Sequence, residues 1–283
     1  MKNILKRATG LLMAGAMTAS LAVSASAAED DIMLISSEAT EVTGSYQTYM
    51  YTQEVHPLAN LGNVSITPGT LTDAEGTHDI YLVAMHGLES TQVGEADDLI
   101  NCILSAFDLG NTYLMDLINI MAENVPAGSN IVFAGHSLGG MVAQQAAATD
   151  ALKDTYNIMY TVTFGSPLIT EDCEGIVNRC TDTSDVVPYL SGYTLSDFDK
   201  QSSTRNEEHI SGFTLNTHVD SYKDADTWGA YDAVGQKNGN VTMMLDDSAT
   251  TYHHTPLLGF AVGSSIYGSI QVDGNYYGVG LFI

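Results

Sequence analysis

Three short, mostly apolar runs punctuate the chain, each closed by glycine: Ile80–Met85 before His86-Gly87, Ile131–Ala134 before Gly135, and Ile158–Phe164 before Gly165-Ser166-Pro167. Runs of this length bounded by turn residues predict strands buried on both faces. Between them the apolar positions recur with a helical period, at Asp98–Leu109, at Tyr113–Glu123 and, directly after the second run, at Met141–Ala148. Strands alternating with helices predict an α/β fold with a mostly parallel central sheet and helices on both faces. Tyr46–Thr52 alternates as a strand would. The tail from Ser265 to Ile283 is rich in Gly and Tyr and alternates around Asp273-Gly274, a hairpin signal.

The ends of the chain differ from this middle. Lys2, Lys6 and Arg7 precede an apolar stretch from Leu11 to Val23 and an Ala25-Ser26-Ala27 end, the pattern of a secretory signal peptide cleaved after Ala27. The expected organisation is a signal peptide over 1–27, a polar, flexible leader over 28–45, an α/β core over 46–235 and a β-rich extension over 236–283. Thr255–Val272 carries no charge for 18 residues, but its Gly and Ser content argues against a membrane anchor.

The second strand run leads into Gly135-His136-Ser137-Leu138-Gly139-Gly140. A serine with glycine two residues to either side, between a strand and a helix, is the nucleophile elbow of the α/β-hydrolases. A serine hydroxyl is a weak nucleophile near neutral pH, so it needs a histidine to take its proton and a carboxylate to orient the imidazole. The expected chain order is serine, acid, histidine. With 34 Asp+Glu and eight His, composition does not select the partners.

Four segments together resemble the class 3 lipase family: Val83-Ala84-Met85-His86-Gly87-Leu88, the elbow from Phe133 to Gly140, Thr163-Phe164-Gly165-Ser166-Pro167, and Asp185-Val186-Val187-Pro188. The resemblance covers about Tyr81 to Tyr222. It implies Ser137 as nucleophile, Asp185 as acid and His218, in Asn216-Thr217-His218-Val219-Asp220-Ser221-Tyr222, as base. Asp182 is the alternative acid, and His209, His253 and His254 are alternative bases. The backbone N–H groups of Leu138 and Leu88 are the expected oxyanion hole. His86-Gly87-Leu88 stands where the family usually has Arg-Gly-Ser or Arg-Gly-Thr. In place of an apolar lid, Glu89–Asp98 holds one Val and four acidic residues, which favours soluble esters over an oil surface.

The formal net charge is −25. Loss of residues 1–27 leaves six Lys+Arg against 34 Asp+Glu, a net charge of −28, which repels nucleic acid and anionic bilayers. Cys102, Cys173 and Cys180 allow at most one internal disulfide. Cys173 and Cys180 bracket a short loop and are the expected pair, with Cys102 as a buried hydrophobe. No spacing suits a zinc or EF-hand site, so neither metal nor cofactor is expected. The leading reading is a secreted hydrolase of carboxylic esters acting on a small-molecule ester or lipid. The alternatives are a non-catalytic secreted binding protein on the same fold, or an acyltransferase using the same three residues.

Overall fold

A computed structural model describes residues 39–53, 63–87, 113–170, 172–185, 187–190, 204–208, 215–255, 266–272 and 275–281. The strands are β1 (Thr40–Val42), β2 (Val64–Asp73), β3 (Gly76–Met85), β4 (Asn130–His136), β5 (Asn157–Phe164), β6 (Ile176–Asp182), β7 (Thr204–Glu208), β8 (Thr242–Leu245), β9 (Thr251–His253), β10 (Ile266–Val272) and β11 (Asn275–Leu281). Among the described residues, nine of them form one sheet in the order β1-β8-β2-β3-β4-β5-β6-β7, with β9 also paired to β2. β3 to β7 are parallel neighbours in chain order. The remaining pairings in this sheet are antiparallel.

The period of two along each strand sorts the core into two layers. Leu82 and Ala84 of β3, Val132 and Ala134 of β4, and Val162 and Phe164 of β5 face a layer containing Tyr49, Tyr222 and Trp228. Val83, Met85, Ile131 and Phe133 face the opposite layer. There they meet Tyr113, Leu117 and Met121 of a helix over residues 113–124 and Leu138, Met141 and Val142 of the helix Leu138–Ala148. Helices cover both faces, as the alternation of elements predicts.

Several expectations are corrected. Tyr46–Thr52 is not a strand; Ser45–Met50 is a helix. Its buried positions, Ser45, Thr48 and Tyr49, have helical spacing, continued by buried Thr52 just past its end, and Gln47 Oε1 caps the first turn by accepting from the Thr43 and Gly44 N–H groups. The end of the expected leader is ordered as β1, in register with β8. β8 and β9, assigned from sequence to the C-terminal extension, pair with β2 inside the main sheet. No disulfide joins Cys173 to Cys180. Instead Cys180 is buried in β6, and the Cys173 thiol, pushed up to about 11 by burial, donates to Gln144 O.

β10 and β11 form an antiparallel hairpin in which Val272 pairs with Asn275, the register expected for a turn at Asp273-Gly274. The expected signal peptide, the helix expected at Asp98–Leu109, the Glu89–Asp98 segment, Cys102, Leu88 and His209 lie outside the described residues.

Candidate active site

The parallel register aligns the carboxyl ends of five consecutive strands. Met85 pairs with Gly135, His136 with Phe164, Phe164 with Cys180, and Asp182 with Glu208. Just beyond these ends lie Gly87 after β3, Ser137 after β4, Gly165 after β5, Asp185 after β6 and His218 after β7. Ligands of open α/β sheets bind at this edge.

Ser137 links β4 to the helix Leu138–Ala148 at φ 54, ψ −120, a left-handed backbone rare outside glycine. Its N–H donates to Phe164 O at 2.9 Å. The flanking glycines serve close approach. A Cβ on Gly135 would stand 2.3 Å from Gly139 O, one on Gly139 2.2 Å from Met85 O, and one on Gly140 2.5 Å from the Ser166 Cβ. The strain therefore sits at the serine itself, while the glycines let helix, strand and loop converge on it. Buried Gln144 holds the neighbouring loop by donating to the Pro167 and Gly140 carbonyls and accepting from the Ile169 N–H.

Asp185 and His218 form a buried pair, with Nδ1 2.8 Å from Asp185 Oδ2. The same oxygen accepts the Tyr222 hydroxyl at 2.7 Å, and Oδ1 accepts the Val187 N–H at 3.0 Å. Burial, then the Asp185 charge, pushes the Tyr222 phenol well above its ordinary value, so it remains a donor. The pair lies against the elbow, with the His136 and His218 rings 4.5 Å apart, and against the turn after β5, where a Cβ on Gly165, at φ +54, would stand 2.7 Å from Asp185 Oδ2 and 3.1 Å from His218 Cε1. Only glycine fits there without displacing the pair.

With Nδ1 turned to the carboxylate, His218 Nε2 is left for another partner. Ser137 is 2% and His218 5% exposed, and neither Ser137 Oγ nor His218 Nε2 makes a hydrogen bond among the described residues. A buried hydroxyl and a buried ring nitrogen, both unbonded beside an oriented carboxylate, are suited to proton transfer at an incoming electrophile. Leu138 opens the helix, so its N–H has no carbonyl one turn back within it. Gly87, next to Leu88, approaches closely: its Cβ would stand 3.0 Å from the Ser137 Cβ.

Two of the alternative partners, Asp182 and His253, are engaged elsewhere. Asp182 accepts the Ser184 N–H and the Ser221 hydroxyl, pinning the loop that carries Asp185. His253 Nε2 bonds Thr251 Oγ1 within β9. Tyr222, Gly165 and Gln144 were missed from sequence as site residues. Gly165 and Tyr222 stand inside two of the motif segments, whereas nothing local marks Gln144.

Parallel strands in chain order, helices on both faces and an elbow serine at the carboxyl edge define an α/β-hydrolase fold. The PGAP1-like alpha/beta domain family matches residues 77–243, more than half of the chain. The chain belongs to this family, which is of the α/β-hydrolase type and supports a hydrolase activity in general terms. The match carries that broader type and does not extend to the class 3 lipases specifically. No curated protein and no solved structure matches the chain.

Proposed function

We propose that the chain is a secreted, lipase-like serine hydrolase that cleaves carboxylic esters through an acyl-enzyme. The observation that carries this reading is the buried Asp185–His218 pair set against the strained Ser137 elbow, with Oγ and Nε2 both unbonded. Ser137 Oγ attacks the ester carbonyl as its proton passes to His218 Nε2. The resulting imidazolium is held by Asp185, whose carboxylate keeps the Nδ1–H tautomer. The oxyanion is received by the Leu138 N–H and the N–H after Gly87. Collapse breaks the ester C–O bond, and His218 returns its proton to the departing alcohol. Water then repeats the sequence on the acyl-enzyme, releasing the acid and restoring Ser137.

Secretion is supported by the Lys2–Ala27 pattern. No described helix is long and apolar enough to cross a membrane. A fluorophosphonate probe tests the chemistry, because it phosphonylates only an activated serine. The expected result is one adduct per chain, mapped by mass spectrometry to Ser137. A folded protein left unlabelled, or labelled elsewhere, would contradict the reading.

A further inference from the structure

The helix Leu215–Asp220 is short, and the carbonyls of its last turn have no partners within it. Two of them are taken by buried side chains from distant parts of the fold. Tyr49 donates its hydroxyl to Val219 O at 2.6 Å, and His136 Nε2 lies 2.8 Å from His218 O. A carbonyl oxygen only accepts, so His136 carries its proton on Nε2 and leaves Nδ1 bare. The ring plane is fixed by the Tyr49 ring, edge-on at 5.3 Å and 87°, and by the His218 ring at 4.5 Å and 37°. On the bare side lies Gly87, whose Cβ would stand 3.1 Å from His136 Nδ1.

His136 is the residue before Ser137. β4 therefore delivers the nucleophile and, one residue earlier, the side chain that holds the main chain of the base. Nothing in the proton relay described above uses this imidazole.

We propose that His136 is a positioning residue of the reaction, its Nε2–H fixing the His218 main chain at the distance from Ser137 that proton transfer requires. This rests on the serine-hydrolase reading. Burial, then the neighbouring His218 and His86, holds the His136 imidazole well below its ordinary value, so it stays neutral while His218 cycles through its charged form. The other rings facing it are those of Tyr49 and Tyr222. A neutral ring donates to the carbonyl without opposing the positive charge that develops 4.5 Å away on His218.

Two variants separate the donor from the ring. His136→Phe keeps an aromatic ring and removes the donor; His136→Gln removes the ring and can present an amide N–H near the position of Nε2. Misplacing a catalytic group by about 1 Å can cost roughly 10²-fold in rate. Accordingly, His136→Phe is expected to lose about 10- to 100-fold in kcat and in fluorophosphonate labelling rate, with KM for p-nitrophenyl butyrate within about 3-fold. His136→Gln is expected to recover most of the loss.

Equal activity in His136→Phe and wild type, or His136→Gln no better than His136→Phe, would overturn the proposal while leaving the hydrolase reading intact. A wild-type protein that is never labelled would overturn both. A further readout needs no variant: ¹⁵N NMR of the wild-type protein should show His136 protonated at Nε2 and bare at Nδ1. A proton on Nδ1 instead would overturn the assignment even if His136→Phe fails to fold.

Discussion

The Tyr222 hydroxyl donates to Asp185 Oδ2, the same oxygen that takes the Nδ1–H of His218. The phenol also accepts the Asp182 N–H at 3.2 Å, and its ring packs against Trp228, tilted at 31° with centroids 5.7 Å apart, so backbone and core both hold the donor in place. A hydrogen bond to a charged group contributes about 1.5–3 kcal/mol. Tyr222→Phe keeps the ring and removes that bond, so it should lower kcat by about 10- to 100-fold with little change in KM. Steady-state kinetics on a soluble p-nitrophenyl ester check this; an unchanged kcat would show that Asp185 needs no support beyond the Val187 N–H.

The two neighbouring acids should separate cleanly. Asp185→Asn alters the group that holds His218 and is expected to cost at least about 10³-fold in kcat, since it acts on the chemical step. Asp182→Asn alters the Ser184 and Ser221 contacts that pin the loop, so it should lower the melting temperature and spare most of the activity of the folded fraction. His253→Ala should be silent in both assays. A large kinetic loss at Asp182 or His253, with Asp185→Asn or His218→Ala silent, would reassign the relay.

Gly165→Ala tests how little room the pair leaves. The added methyl group would have to push back Asp185 Oδ2 and His218 Cε1, and the φ of +54 costs a residue with a Cβ about 1–2 kcal/mol. A drop in activity of at least about 10²-fold, larger than the change in stability accounts for, is expected. Comparable activity in the variant would mean that the pair is displaced without consequence.

Much of this arrangement was legible in the sequence, for a physical reason. β3, β4 and β5 are buried on both faces, so their sequences are nearly continuous apolar runs, and the elbow glycines mark where backbones must touch. Other elements left no such trace. β6 holds Asn178, Arg179, Thr181 and Asp182 in a buried strand, and Asn178 is satisfied by Val234 O, 56 residues away, so its polarity does not read as a strand. β2 carries Ser, Thr, Pro and Gly and owes its form to β3 and β8. Tyr46, Thr48 and Met50 alternate on paper, yet the side chains buried are Ser45, Thr48, Tyr49 and Thr52, and Tyr49 is one of two side chains that hydrogen-bond carbonyls of the helix carrying His218. Contacts of this range are invisible to any local window.

The acidic Glu89–Asp98 segment bears on substrate form. An opening lid is driven by apolar area, each Leu-sized side chain contributing about 1.5–3 kcal/mol, and this segment offers one Val and one Ala beside four carboxylates. Soluble short-chain esters should be turned over at least as well as emulsified triglycerides. Initial rates on tributyrin across its solubility limit test this, and a steep rise as droplets form would contradict it.

The most direct measurement is turnover by Ser137→Ala. Alanine tolerates the elbow backbone about as well as serine does, so the variant should fold with wild-type circular dichroism and melting temperature. Loss of a triad nucleophile costs on the order of 10⁶-fold in kcat. Hydrolysis of p-nitrophenyl butyrate by purified Ser137→Ala is therefore expected to fall to the background rate. A folded Ser137→Ala protein hydrolysing the ester near the wild-type rate would contradict the serine-hydrolase reading.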